Sequence, residues 1–119
     1  MDTSFYSDKE LEQTRADLTT AREKYAKAKI LYQSLDDKRR LLIDKITYQI
    51  AEKQSVAVNK AKGMILDNKE YQEFKEGYES AREKYEKWRV QKDNLETFWE
   101  TIRTILAENR KDRYNEVKK

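Results

Sequence analysis

Residues 71–88 read YQEFKEGYESAREKYEKW, and this stretch decides the fold. Its aromatic and small apolar residues recur at alternating spacings of three and four, at Tyr71, Phe74, Tyr78, Ala81, Tyr85 and Trp88. That spacing places them on one side of an α-helix, and a seam sustained over several heptads is typical of helices packed side by side. The seam continues through Leu95, Trp99, Ile102 and Leu106. The pattern therefore predicts one long helix over the second half of the chain.

The first half of the chain carries a matching seam. Its members are Leu11, Thr14, Leu18, Ala21, Tyr25, Ala28, Tyr32, Leu35, Leu42 and Ile46. The pentapeptide Ala-Arg-Glu-Lys-Tyr occurs at 21–25 and again at 81–85, and in both copies its Ala and Tyr fall on the seam. We interpret this repeat as a product of the shared seam pattern rather than of a duplication, which remains the alternative.

Two capping boxes and one glycine set the predicted helix boundaries. Ser7 and Glu10 form the first box, Asp67 and Glu70 form the second, and Gly63 lies just before the second start. We therefore predict an all-α fold, a long antiparallel helical hairpin resembling a coiled coil. It comprises a helix over about 8–60, a turn over about 63–68 and a helix over about 68–113, as a single domain. Around residues 53–64 the seam slips, which indicates either a stutter or a separate short helix.

The seam also predicts pairing between helices and between copies. A turn centred near residue 65 makes the numbers of facing residues sum to about 131, so Tyr32 faces Trp99 and Arg39 faces Lys92. The aromatic seam offers more apolar surface than one partner helix covers, and apolar surface of that extent marks interfaces. We therefore expect the hairpin to self-associate through a seam that includes Tyr32, Tyr78, Tyr85, Trp88, Trp99, Ile102 and Leu106.

The amino-acid composition limits the structures and the kinds of function that the chain can have. Charged residues make up 41% of the 119 residues and hydrophobic ones 37%, which suits either a disordered chain or long helices with an apolar stripe. The absence of proline and the 11% aromatic content favour helices. Without any histidine or cysteine the chain has no His-based catalysis and no thiolate metal site. We expect a protein that is not an enzyme, takes no metal or cofactor, spans no membrane and works in the cytoplasm.

Positive charge is concentrated in the middle of the chain. Residues 38–62 carry seven basic and two acidic side chains. The basic ones are Lys38, Arg39, Arg40, Lys45, Lys53, Lys60 and Lys62, and Lys69 joins them if the chain turns at Gly63. A solvated helix face is one interpretation, and a binding site for a polyanion is the other. The seam aromatics are core by their spacing, whereas Tyr48 lies off the seam and is a candidate for base stacking.

The middle of the chain also carries a pattern found in a known family. Its parts are Leu31-Tyr32 through Lys38, Ile50-Ala51-Glu52-Lys53, and Val56-Ala57-Val58-Asn59-Lys60-Ala61-Lys62. These stretches resemble the middle of the UvsY family of phage recombination mediators, in which a Val-Ala run leads into a basic-Ala-basic triplet. The resemblance implies a homo-oligomer that binds single-stranded DNA, contacts a single-strand binding protein and helps load a RecA-type recombinase. It implies Lys60 and Lys62 as DNA contacts, and Lys53 and Lys69 follow by proximity. Arg40, in the same basic stretch of the chain, is the fifth predicted DNA contact.

Two hypotheses of different classes emerge from the sequence. The first is a non-enzymatic, single-stranded DNA-binding recombination mediator of phage type, in the cytoplasm of the host cell. The second is a structural or adaptor coiled coil without nucleic-acid binding, such as a secretion-type chaperone or a phage inhibitor of a host complex. Lys60 and Lys62 would point in directions about 200° apart on a continuous helix, so the first hypothesis predicts that the chain around Gly63 is not straight helix.

Overall fold

The described part of the chain consists of helices and short connections. The structure, a computed structural model, describes residues 7–118 and the side chains of residues 7–114. Its helices are α1 (Asp8–Gln54), α2 (Val58–Gly63) and α3 (Lys69–Lys118), with a 3-10 helix (Ile65–Asp67) between α2 and α3. No strand occurs within residues 7–118. The predicted all-α class, with two long helices, is confirmed, while its division into domains stays a prediction.

Both long helices start at a side-chain cap. The Glu10 N–H donates to Ser7 Oγ at 3.2 Å and the Ser7 N–H donates to Glu10 Oε2 at 3.3 Å, so the predicted capping box of α1 is present. At the start of α3 the Tyr71 N–H donates to Asn68 Oδ1 at 3.0 Å. The cap of α3 is thus Asn68 rather than Asp67, because Asp67 ends the 3-10 helix while Asn68 has the extended backbone of an N-cap.

The end of α1 differs from the prediction. Ser55 has a φ of 52°, and the Val56 N–H donates to the Ala51 carbonyl at 3.2 Å. A left-handed residue followed by this hydrogen bond is the usual way in which a helix ends, although glycine normally holds the left-handed position. The first helix therefore ends at Gln54 rather than near residue 60. Residues 55–68, here called the connector, hold α2 and the 3-10 helix where a turn over 63–68 was expected.

The chain divides into two compact units, each formed by antiparallel segments of α1 and α3. Unit 1 joins the residues up to Ala26 to those from Lys87 onward. Its buried side chains are Thr14, Leu18, Ala21 and Ile102. On its surface Arg22 bonds Glu96 at 3.2 Å and Arg110 bonds Asp8 at 3.0 Å. The interior of unit 1 is therefore a narrow stripe of aliphatic and small residues.

Unit 2 comprises residues Lys27–Glu86 and has an aromatic interior. The Tyr32 ring stacks on Tyr85 and tilts against Tyr78, with centroids 5.2 Å and 5.5 Å apart. Ala81 is buried between the long helices, and toward the connector the buried residues are Ile46, Thr47, Ala61 and Ile65. The connector therefore contributes two residues of its own, Ala61 and Ile65, to the core of unit 2.

The observed register replaces the predicted one. Across α1 and α3, five facing pairs have residue numbers that sum to 115–118: Asp8/Arg110, Arg22/Glu96, Tyr25/Lys92, Tyr32/Tyr85 and Lys45/Glu70. Long side chains also reach beyond this register, as Tyr32 does to Tyr78. The predicted sum of about 131, with Tyr32 facing Trp99, is wrong. Arg39 lies over the Tyr78 ring and Lys92 over the Tyr25 ring, so these two cations do not face one another. The predicted register assumed a tight turn near residue 65. The two long helices are instead joined by the folded connector, so their facing residues differ from those that a tight turn would pair.

The repeated pentapeptide occupies equivalent positions in the two units. Ala21 and Ala81 are both buried, and Tyr25 and Tyr85 are both half-buried. Tyr25 receives the Lys92 ammonium 4.9 Å from its ring centroid, whereas Tyr85 stacks on the Tyr32 ring. The seam pattern accounts for both copies, because in each one the Ala is buried between the long helices and the Tyr is half-buried beside it.

Candidate nucleic-acid interface

One short stretch of the chain carries an excess of positive charge equal to the net charge of the whole. Residues 53–69, here called the basic segment, contain four lysines and one acidic residue, Asp67. The rest of the chain has equal numbers of basic and acidic residues, since the whole carries 26 and 23. The net charge of +3 therefore belongs to the basic segment. A local excess of this kind attracts polyanions even when the whole molecule is nearly neutral.

The connector and the helix ends beside it hold the four lysines. Lys53 lies in the last turn of α1, Lys60 and Lys62 lie in the last turn of α2, and Lys69 is the first residue of α3. All four side chains are exposed. Within the part of the chain that the structure describes, no carboxylate lies within ion-pair distance of their ammonium groups. Their charge is therefore available to a ligand.

Lys60 and Lys62 flank a buried anchor. Ala61, between them, is fully buried, so α2 presents its Ala61 side to the core and the two lysines lie on either flank. The expectation that the chain around Gly63 is not straight helix is confirmed, because α2 is a separate short helix that ends there. Lys60 and Lys62 nevertheless both lie on the short helix α2, so their side chains leave it on opposite sides.

Hydrogen bonds hold the connector in place. The Ala61 N–H donates to the Ala57 carbonyl, the Met64 N–H donates to the Ala61 carbonyl, and both bonds are 3.0 Å long. Gln72 Nε2, on α3, donates to the Leu66 carbonyl at 2.9 Å. These bonds and the buried Ile65 side chain position the backbone that carries the lysines. The connector is thus a folded platform, and little backbone entropy remains to be lost on binding.

The other basic residues in the middle of α1 have different surroundings. Arg40 is about 20 Å along α1 from Lys53 at 1.5 Å per residue, and Asp36 lies 3.9 Å from its guanidinium. Lys45 bonds Glu70 at 3.5 Å, and the Arg39 guanidinium lies 5.4 Å from the Tyr78 ring centroid. Of the five predicted DNA contacts, four are therefore the lysines of the basic segment, whereas Arg40 lies apart from them on α1.

Polar and aromatic groups in unit 2 form a network that the seam pattern did not reveal. Tyr78 donates from its hydroxyl to Asp36 Oδ1 at 3.0 Å and shares a hydrogen bond of 3.2 Å with the Tyr32 hydroxyl. The bond with Tyr32, then burial and the bond to Asp36 raise the pKa of Tyr78 to about 12. These hydroxyls are engaged within the core, which leaves Tyr48, 65% exposed, as the aromatic residue of α1 open to a base.

The remaining predicted seam residues lie in unit 1. Ile102 is fully buried, and Trp88, Trp99 and Leu106 are half-buried. The Trp88 ring lies under the Lys24 ammonium, 4.6 Å from its centroid. The Trp99 indole N–H is buried without a hydrogen-bond partner among the described residues, an uncommon and costly arrangement. Each of these side chains is partly or wholly used by the packing of unit 1 itself.

Neither a membrane-spanning helix nor a metal site was found among the described residues, nor was a similar known protein found for this chain. None of the described helices is both long enough and apolar enough to span a membrane. Residues 7–118 contain no group of three or more carboxylates placed to hold a metal ion. The chain matches no protein-family model, no curated protein and no solved structure.

Proposed function

We propose that this chain is a non-enzymatic protein that binds single-stranded DNA through the basic segment. One observation carries the proposal: the basic segment has a net charge of +3, equal to that of the whole chain, and its four exposed lysines have no ion-pair partner among the described residues. These lysines lie on the folded connector and on the helix ends beside it. Elsewhere acidic side chains balance the basic ones in number, and several of them form ion pairs such as Lys75 with Glu79. Phosphate is the ligand that this arrangement suits best, because neutralising it releases condensed counterions.

A flexible single strand suits the platform better than a duplex. Reading a duplex groove requires a helix or a β-ribbon that enters it, and α2, with only six residues, is anchored by a buried Ala61. A single strand can bend to reach lysines on both flanks of α2, and an exposed aromatic such as Tyr48 can stack on an unpaired base. Sequence preference is then weak, because every base has a face that can stack.

Each copy of the chain makes few phosphate contacts. Four lysines give a slope of at most about −2.8 for the logarithm of affinity against the logarithm of salt concentration on single strands. Binding by one copy is therefore weak at physiological salt. Self-association multiplies the site and adds avidity, so the proposed function includes an oligomer.

The role in recombination rests on the resemblance of residues 31–62 to the UvsY family. In this role the bound strand is handed to a RecA-type recombinase, a single-strand binding protein is a further partner, and the host cytoplasm is the place of action. No covalent step or cofactor is involved, since positioning by phosphate charge is sufficient. The triplet Lys60-Ala61-Lys62 is the part of the resemblance that coincides with the basic segment.

Titration of a fluorescent, unstructured single-stranded oligonucleotide tests the proposal. We expect anisotropy to rise with protein concentration at low salt, the affinity to fall as salt increases, and a duplex of the same length to bind more weakly. Absence of salt-sensitive binding would contradict the proposal and favour the structural or adaptor coiled coil. Tighter binding to the duplex would contradict its single-strand preference.

A further inference from the structure

Part of the outward face of α3 in unit 1 carries no charge. Eight positions between residues 90 and 105, which extend from the side of α3 opposite the seam to one edge of the seam, form what is here called the neutral stripe: Val90, Gln91, Asn94, Thr97, Phe98, Thr101, Thr104 and Ile105. On the other side of the stripe, the row between it and the seam is charged at every position, with Arg89, Asp93, Glu96, Glu100 and Arg103. In a chain that is 41% charged, a solvated face has no need of such a stripe.

The surface chemistry of the neutral stripe is more apolar than its residue types suggest. Thr97 donates its hydroxyl to the Asp93 carbonyl at 3.1 Å, and Thr101 donates to the Thr97 carbonyl at 2.9 Å. With both hydroxyls bonded to their own helix, the threonine methyl groups are available for packing. Val90 and Phe98 are 48% and 44% exposed, so the ends and middle of the stripe also present apolar surface.

We propose that the neutral stripe is a self-association face that packs against the same stripe of a second copy of the chain. A two-fold axis brings each surface against its equivalent, which favours a face without charges, because no like charges are juxtaposed and none is buried unpaired. The other large apolar residues exposed on the long helices lie among charged residues such as Asp37, Lys38 and Lys45; they are Ile30, Leu31, Leu41, Tyr48 and Tyr114. The neutral stripe is therefore the surface best suited to an identical partner.

The length of the neutral stripe sets the expected strength of self-association. The stripe extends over about 22 Å of helix, which is at the small end of specific interfaces, so we expect association at micromolar concentration or above. The role of this dimer rests on the proposed function, since a dimer doubles the number of lysines presented to one DNA strand. The position of the self-association face does not depend on DNA binding.

Sedimentation velocity across a concentration series tests the inference. We expect the parent to reach the mass of a dimer and the variant Thr97→Lys/Thr101→Lys to dimerise more than about tenfold more weakly, because like charges would face one another. The control Thr19→Lys/Thr20→Lys adds the same charge at exposed positions of α1 and should dimerise as the parent does. Circular dichroism should show equal helix content in all three proteins.

Two results would overturn the inference: a parent that stays monomeric throughout the series, or a Thr97→Lys/Thr101→Lys variant that dimerises as well as the parent. The stripe is uncharged, so dimerisation should withstand salt that abolishes DNA binding. A parent that dimerises through the stripe and yet binds no single-stranded DNA would contradict the proposed function and leave the self-association face intact. The two failures are thereby distinguishable.

Discussion

Tyr32 and Tyr85 stack across the two long helices, with ring centroids 5.2 Å apart and planes 7° from parallel. This pair fixes the register of unit 2, since a shift of one heptad would separate the rings. The equivalent pair in unit 1 is Tyr25 and Lys92, in which a cation takes the place of the second ring. An aromatic stack and a cation–π contact thus occupy matching positions of the two units.

The Tyr32/Tyr85 stack predicts a measurable coupling energy. We expect a double-mutant cycle with Tyr32→Leu and Tyr85→Leu, measured by urea unfolding, to give about 0.5–1.5 kcal/mol. The same cycle between Tyr32 and Trp99 should give a coupling below about 0.5 kcal/mol, because the two residues belong to different units. A larger coupling to Trp99 than to Tyr85 would restore the register that places Tyr32 opposite Trp99.

Tyr78 predicts a loss of stability at high pH. Its pKa rises from the usual value near 10 to about 12, first because of its hydrogen bond with Tyr32. The neutral phenol is thus favoured in the folded state, so its contribution is complete below pH 10 and is lost as the pH rises toward 12. We expect the free energy of unfolding of Tyr78→Phe to fall less than that of the parent over this pH range. The control Tyr48→Phe, which removes an exposed phenol, should lose as much free energy of unfolding as the parent. An equal loss in Tyr78→Phe and the parent would contradict this account.

Ser55 predicts a stabilising substitution. A left-handed conformation costs a residue with a side chain about 1–2 kcal/mol, and glycine avoids this at a smaller entropic cost in the unfolded chain. We expect Ser55→Gly to raise the free energy of unfolding by about 0.5–1 kcal/mol, seen as a higher urea midpoint at an unchanged slope. Ser34→Gly, in the interior of α1, should lower it by about 0.5 kcal/mol. Equal effects of the two substitutions would show that α1 does not end at Ser55.

The seam and the Ser7 cap could be predicted because they depend on residues close in sequence. Tyr71, Phe74 and Tyr78 recur at helical spacing whatever surrounds them, and Ser7 meets Glu10 within one turn. The end of α1 could not be predicted in the same way. Ser55 takes a left-handed conformation that serine rarely adopts, and the buried Ala61 and Ile65 show that tertiary packing stabilises it.

The residues of the candidate site are a prediction from sequence proximity. Lys53, Lys60, Lys62 and Lys69 lie in one short segment whatever its fold, whereas the pairing of Lys45 with Glu70 depends on the register. The neutral stripe was accessible to sequence reasoning and was missed. Its signal is a lack of charge at the outward positions of α3, and the periodicity of apolar residues does not reveal such a signal.

The chain supplies its own control for the central claim. Lys27-Ala28-Lys29, within α1, repeats the basic-Ala-basic triplet of Lys60-Ala61-Lys62, and both of its lysines are exposed. The two triplets have the same composition and spacing, but only the second lies in the connector. Alanine substitution of either pair removes two positive charges, so a difference between the variants reports on position alone.

The most direct measurement is the salt dependence of single-strand affinity for the parent, Lys60→Ala/Lys62→Ala and Lys27→Ala/Lys29→Ala. We predict that Lys60→Ala/Lys62→Ala binds more weakly and that its log–log slope is shallower by about 0.7 for each phosphate that is no longer neutralised. Lys27→Ala/Lys29→Ala should keep the parental slope, with helix content and mass unchanged in both variants. Equal slopes for all three proteins, or equally weakened binding in the two variants, would contradict the claim that the basic segment is the DNA-binding site.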